Sequence, residues 1–309
     1  MAECLVGRAA FPSRAMAAEQ SQATDGLGSA LLELHHRDTR GQPSRWVWRC
    51  ELRPPTAAVL GACGFPGSIF VPSQGATNLL LLLHGRGDSP RSFAKLATKM
   101  ELPQTAALAL RAPIDLPFGI DGSQWHDSFD VSTGELIQPQ DGERRRVLSL
   151  ERESRMRLLN LLDQLEACGW PRQRVFVLGY AQGGTAALDL ALSSRRRLGG
   201  VVSVCGHCLH EAVAAGLEPV CPNARATPIL VTIAKDDRET APAVARKLFD
   251  ALRTAFGGPL SDSVTLRELP GRGAMGESAA QMRCIMEFFA SHLEIRSKAL
   301  EDPSLMRVA

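Results

Sequence analysis

From Asn78 onward, short apolar runs alternate with longer amphipathic stretches. Asn78 to Leu83, Ala106 to Leu110, Val175 to Leu178, Val201 to Val204, Ile229 to Ile233 and Val264 to Leu266 are each strand-length and almost free of polar residues. Near-continuous apolar runs are what strands buried on both faces require. Between most of them lie helical patterns. Met156, Leu159, Leu162 and Leu165 form one apolar stripe; Val244, Leu248, Leu252 and Phe256 form another; Met282, Ile285, Met286, Phe289 and Leu293 form the last. Pro242 opens the second, where a first helical turn has no use for the missing N–H. The alternation predicts an α/β fold: a mostly parallel central sheet with helices on both faces. Core packing accounts for all three stripes.

The segments before Asn78 read differently. Residues 1–28 are small, polar and without periodicity, as expected of a disordered N-terminal extension. Residues 29–76 read as a lead-in with two edge strands. One is marked by the alternation Trp46, Trp48, Cys50, Leu52, the other spans Gly67 to Val71. Residues 77–295 make the α/β domain, and 296–309 a polar tail.

Composition narrows the function classes. The 309 residues, 45% of them hydrophobic, suffice for one substantial core. The 35 basic and 33 acidic residues leave a formal charge of +2, which excludes nucleic acid as a main partner on charge grounds. Two triple-arginine clusters, Arg144 to Arg146 and Arg195 to Arg197, are local exceptions, and the second suits a helix C-terminus. The longest aliphatic run, Leu79 to Leu83, is far below the roughly 20 residues of a membrane helix. Eight cysteines without a secretory signal fit reduced thiols and a cytoplasmic protein. The alanine-rich start, with Arg8 and Arg14, leaves an organellar transit peptide as the alternative.

The chemistry centres on an alanine. Gly179-Tyr180-Ala181-Gln182-Gly183-Gly184 follows one apolar run and leads into a helical stretch, Thr185 to Leu192. A strand that passes through a glycine-framed turn into a helix is the setting in which G-x-S-x-G presents a nucleophile. Here Ala181 fills the serine slot. A separate cluster, Cys205-Gly206-His207-Cys208-Leu209-His210, follows the strand Val201 to Val204. It offers Cys205 as a substitute nucleophile with His207 as base, against the commoner fate of buried structural cysteine. Its spacing is too tight for the usual zinc patterns, so no metal is expected, and no cofactor motif is present.

Three segments in order resemble the phospholipase/carboxylesterase family of α/β-hydrolases, which includes the acyl-protein thioesterases. They are Leu83-His84-Gly85-Arg86-Gly87-Asp88-Ser89, the turn around Ala181, and Pro228 to Pro242 followed by Gly273 to Phe289. Ala112-Pro113 and Gln124 to Asp130 add to the likeness. The resemblance covers roughly residues 75 to 295 and implies the α/β-hydrolase fold. It also implies roles. Ala181 stands at the nucleophile position, Asp237 at the acid position with Asp236 as neighbour, and Gly276 at the histidine position. Serine and histidine are then both absent. Backbone N–H groups of Arg86 and Gln182 make the oxyanion hole, and His84, Trp125 and His126 line the pocket. The Arg86 side chain either reaches the pocket mouth or turns to solvent.

Losing the serine of such a triad costs on the order of a million-fold in turnover, and a further loss of histidine adds little. The expectation is therefore a catalytically impaired carboxylesterase/thioesterase-like protein that binds a small acyl or carboxylate ligand or a protein partner. The alternative is an active ester or thioester hydrolase with a displaced nucleophile such as Cys205. A third possibility, a structural protein with a closed pocket, requires that no cavity open beside Ala181.

Overall fold

The computed structural model describes residues 31–34, 46–49, 52–138, 144–237, 239–258 and 262–295. The expected extension 1–28 and tail 296–309 lie outside them. Strands β1 (Leu31–Leu34) and β2 (Trp46–Arg49) pair antiparallel as a two-stranded sheet of their own. The alternation at Trp46 and Trp48 therefore marks a strand, but one separate from the central sheet.

From Leu52 on, the chain builds a seven-stranded sheet. It contains β3 (Ile69–Val71), β4 (Asn78–Leu83), β5 (Thr105–Leu110), β8 (Val175–Tyr180), β9 (Gly200–Val204), β10 (Ile229–Ala234) and β11 (Val264–Leu269). The order across the sheet is β11-β10-β9-β8-β4-β5-β3, with all neighbours parallel except β3, which runs antiparallel at one edge. Each predicted apolar run is one of these strands: Asn78–Leu83 matches β4 end to end, and the other five are extended by one to three residues. After β5, β6 (Ile114–Asp115) and β7 (Ser123–Gln124) pair antiparallel as a small sheet of their own.

The inner strands of this sheet read as nearly continuous apolar runs because both faces are covered. Along β4, Leu79, Leu81 and Leu83 enter one core while Leu80 and Leu82 enter the other. That is the period of two expected of a strand with a helix layer on each side. One layer holds α2 (Pro90–Met100) and α8 (Ala279–His292), through Phe93, Met100, Ile285 and Phe289. The other holds α4 (Met156–Ala167), α5 (Gln182–Ser193) and α7 (Pro242–Ala255), through Leu161, Leu165, Leu190 and Leu252.

The predicted stripe of α4 is displaced. Met156 is 61% exposed, and the buried positions are Leu158, Leu161, Leu162 and Leu165. The chain enters α4 from α3 (Arg145–Ser149) through a π-helical turn, Leu150–Arg155. Within α4 the expected positions step by three residues, which drifts about 60° per step round a 3.6-residue helix, so Met156 ends on the face opposite Leu165.

Candidate functional site

The sheet order reverses between β4 and β8. The chain leaves β4 toward β5 on one side and later returns with β8 on the other. Such a switch point opens a crevice at the carboxyl ends of the two strands. Gly85 and Arg86 follow β4 there, and Ala181 and Gln182 follow β8.

Ala181 sits at φ 47°, ψ −115°, a region that L-residues other than glycine rarely enter. The framing glycines make this turn sterically possible. A Cβ on Gly179 would lie 2.2 Å from the Gly183 carbonyl oxygen, one on Gly183 would lie 2.3 Å from that of Leu83, and one on Gly206 would lie 2.6 Å from that of Ala181. The tight strand-to-helix turn expected from the motif is thus fully built, with a methyl group at its apex.

Beside Ala181 opens a cavity of about 730 Å³. Gly85, Arg86, Ala181 and Gln182 form one part of its wall, and Asp237, Glu239, Thr240, Arg272 and Gly273 another. Leu136, Ile137, Leu209, Ala241, Val244 and Leu248 supply apolar lining. His126, His207 and His210 also reach it. The mouth opens to solvent, since Leu136 is 43% exposed there.

Gln182 holds its corner through its side chain. Its Oε1 accepts from the Trp125 N–H at 2.7 Å, while Nε2 donates to the His126 carbonyl at 2.9 Å and to Ser128 Oγ at 2.8 Å. Its own N–H belongs to the first turn of α5, where helix donors lack intrahelical acceptors. The Arg86 guanidinium stands 5.7 Å above the Phe129 ring and 3.7 Å from the exposed carboxylate of Glu239, so it is tethered at the mouth.

The three residues expected to line the pocket divide. His126 lines it. His84 and Trp125 are wholly buried and brace the loop from beneath, which corrects their expected place. His84 Nε2 accepts from the Ala112 N–H at 3.1 Å, so Nδ1 carries the proton and donates to the Gly85 carbonyl at 2.7 Å. Trp125 Nε1 donates to the His84 carbonyl at 2.8 Å. Burial lowers the His84 pKa, and pushes that of His126 down to about 4, with Arg146 and Arg86 acting in the same sense.

Asp237 lies at the cavity, where its Oδ1 accepts from the N–H groups of Glu239 at 2.8 Å and Thr240 at 3.1 Å. Its neighbour Asp236 donates its N–H to the Gly271 carbonyl at 3.0 Å. Gly276 is not brought to the site. It is exposed at φ 75°, and a Cβ there would meet nothing within 4 Å. The segment after β11 instead presents Arg272 and Gly273 to the cavity. Glu277 decides this shape, because its carboxylate accepts from the N–H groups of Arg272, Gly273 and Ala274 at 3.0, 2.6 and 3.1 Å. A lone glutamate with three local backbone donors leaves no pattern to read in a sequence.

Cys205 reaches the cavity at φ 53°, just past β9. Burial pushes its thiol up to about 12, reinforced by the negative charges of Asp237 and Glu277. A Cβ placed on Gly273 would lie 2.5 Å from its sulfur, so that flank is closed. His207 is engaged elsewhere: Nδ1 is 3.1 Å from the Cys208 carbonyl, and Nε2 is 2.8 Å from Thr240 Oγ1. Cys205 and His207, weighed as a substitute nucleophile and base, are therefore not bonded to each other. Arg146 was legible only as part of a charge run, yet it forms a bidentate pair with Glu211 at 2.6 and 2.7 Å beside the cavity.

Among the described residues, no helix is long and apolar enough to cross a membrane, and no group of three metal-ligating side chains converges.

Known proteins share this architecture. SOBER1 of Arabidopsis thaliana superposes with a TM-score of 0.55 at 22% identity, over 70% of this chain and 99% of its own. Esterase PE8 gives 0.56 at 20% identity, over 73% and 98%. Both show the common fold. An uncharacterized hydrolase of Mycosarcoma maydis is 33% identical over 168 residues, half of this chain and 60% of the relative. Acyl-protein thioesterase 1 of Yarrowia lipolytica is 27% identical over 148 residues, 45% of this chain and 62% of the relative. The chain thus matches about three fifths of the length of these two relatives. The sequence profile of the phospholipase/carboxylesterase family runs from residue 67, ahead of β3, to residue 293, at the end of α8, and to that family the chain belongs.

Proposed function

We propose that this chain is a catalytically impaired carboxylesterase/thioesterase-like protein that binds a small acyl or carboxylate ligand in the cavity beside Ala181. One observation carries the reading: the nucleophile turn keeps its strained backbone, at φ 47° and ψ −115°, around a residue that has no nucleophile. Strain of this kind costs on the order of 1–3 kcal/mol and persists only where the surroundings enforce it. Gln182, which lines the cavity, opens a 12-residue helix, whose dipole and unpaired first-turn N–H groups favour negative charge. A backbone donor of this kind is worth about 3 kcal/mol to a developing oxyanion, and it serves a carboxylate oxygen as well. The apolar lining from Leu209 to Leu248 suits the hydrocarbon part of an acyl ligand.

The alternative, hydrolysis through Cys205, is disfavoured because burial and the negative charges of Asp237 and Glu277 oppose the thiolate it needs. The protein partner contemplated from the sequence finds no further support.

The test pairs binding with turnover. Calorimetric titration with short- and medium-chain carboxylates is expected to show one saturable site, abolished by Ala181→Phe, which fills the cavity beside the turn. A panel of aryl esters and acyl thioesters is expected to show no turnover at serine-hydrolase rates. Rapid turnover that vanishes in Cys205→Ala would establish the displaced-nucleophile enzyme instead, and absence of carboxylate binding would overturn the ligand reading.

A further inference from the structure

The hydrogen bonds of His207 have a defined polarity. A carbonyl oxygen only accepts, so the 3.1 Å contact to the Cys208 carbonyl puts the proton on Nδ1. The neutral ring then carries its lone pair on Nε2, and the hydroxyl of Thr240, 2.8 Å away, donates to it. A hydroxyl within hydrogen-bond reach of an imidazole, with the second ring nitrogen fixed by a third group, is the relation of a nucleophile to its general base. Both residues are only partly buried, and both line the cavity that holds Ala181, Arg86 and Gln182. The fold fixes each one separately. Cys205 turns the chain at φ 53° just ahead of His207, and Asp237 Oδ1 accepts the Thr240 N–H at 3.1 Å.

We propose that Thr240 and His207 form a second acyl-accepting site, independent of the vacant serine position, which takes the acyl group of an activated ester or thioester bound in the cavity. This rests on the ligand-binding reading above. Thr240 Oγ1 attacks the carbonyl carbon while its proton passes to His207 Nε2. The tetrahedral oxyanion collapses, the bond to the alkoxide or thiolate breaks, and the leaving group departs with the proton from Nε2. An ester on Thr240 remains. Water, deprotonated by the same Nε2, then attacks that ester, releasing the carboxylic acid and restoring the hydroxyl. A secondary hydroxyl is hindered, and a neutral carbonyl at Nδ1 stabilises the imidazolium less than a carboxylate does. Both steps are therefore slow, and the acyl-threonine accumulates when the ester is highly activated.

Mass spectrometry of the full chain treated with p-nitrophenyl acetate tests this directly. One acetyl group per chain is expected, mapped to Thr240 by peptide analysis. It is absent in Thr240→Val, retained in Thr240→Ser, and formed about a hundred-fold or more slowly in His207→Gln. The acetylation rate is expected to rise along a single limb below pH 6.5 and then level. Burial lowers the His207 pKa from 6.5, with the Cys208 carbonyl opposing, Arg146 assisting, and Asp237 and Glu211 opposing. A hydrogen bond that served structure alone would give neither the acetyl group nor that limb. Acetylation that maps to another residue, or that persists in Thr240→Val, overturns the proposal. Titrating the unmodified protein and Thr240→Val with a short carboxylate separates the two readings. Saturable binding without acetylation of the unmodified protein removes the dyad and leaves the ligand site standing; no binding in either protein removes the ligand site itself.

Discussion

At position 181 a side chain and a backbone conformation disagree. Alanine is ordinarily preferred to glycine because it restricts the unfolded chain, by about 0.4–1 kcal/mol. At φ 47° and ψ −115° the preference reverses, since strain of about 1–3 kcal/mol falls on any residue with a Cβ. Ala181→Gly is therefore expected to raise stability by about 1 kcal/mol in urea unfolding, opposite in sign to the same change within a helix. A loss of stability would mean that the turn imposes no strain. Restoring the hydroxyl is a different matter. Ala181→Ser supplies a nucleophile without a matched base: the His207 lone pair is engaged by Thr240, and His126, with its pKa near 4, is a weak acceptor at neutral pH. The expected kcat/KM of Ala181→Ser for p-nitrophenyl butyrate stays within about ten-fold of the unaltered protein, far below the factor a complete triad supplies. Efficient hydrolysis by this single variant would reveal a base that the geometry does not suggest.

At the scale of elements, legibility followed local chemistry. The inner strands were readable because each is buried and almost wholly apolar, and the turn around Ala181 because its framing glycines leave no room for a Cβ, which would lie 2.2 Å from backbone at Gly179 and 2.3 Å at Gly183. The stripe on α4 was half legible: Leu162 and Leu165 are buried, but stepping back by three residues to Leu159 and Met156 drifts round a 3.6-residue helix, and the buried face continues through Leu161 and Leu158 instead. At Gly276 the local backbone decides. Backbone donors gathered on Glu277 fold the segment so that Arg272 and Gly273 face the cavity. The run Arg144 to Arg146 was legible only as a basic cluster, yet Arg146 pairs with Glu211, whose side chain is 1% exposed. Removing one partner of a buried pair leaves the other charge uncompensated, which costs about 3–5 kcal/mol. Glu211→Ala is thus expected to destabilise by about 3 kcal/mol in chemical denaturation, toward the low end because Arg146 retains 15% exposure and reaches the cavity. Replacing both residues by apolar ones is expected to recover most of that loss. A double variant as unstable as Glu211→Ala would place the cost in packing.

For the molecule as a whole, one switch point gathers groups from distant parts of the chain, and three of them are histidines lowered by burial: His84 and His126 near the turn, and His207 across the cavity. A buried neutral imidazole gives stability a definite slope with pH. Above pH 6.5 His126 is neutral whether the chain is folded or not, and contributes nothing to the pH dependence. As pH falls from 6.5 toward about 4, the unfolded chain takes up the proton and the folded one does not, so folding weakens. The loss from this one residue approaches about 3 kcal/mol and levels below the folded value, because one pKa unit corresponds to about 1.4 kcal/mol. His84 and His207 act with the same sign. His126→Asn isolates one share: its amide N–H can replace the Nδ1 donor to the Asp127 carbonyl, a 2.8 Å bond, but the amide does not titrate. Unfolding free energies measured by urea from pH 7.5 to pH 4 should then decline about 3 kcal/mol less in the variant than in the unaltered protein, even if its stability at pH 7.5 is lower. Parallel curves would show that His126 takes up its proton in the folded state. That outcome would place the imidazole in contact with water from the cavity, and would make it a cation facing any carboxylate bound beside Ala181.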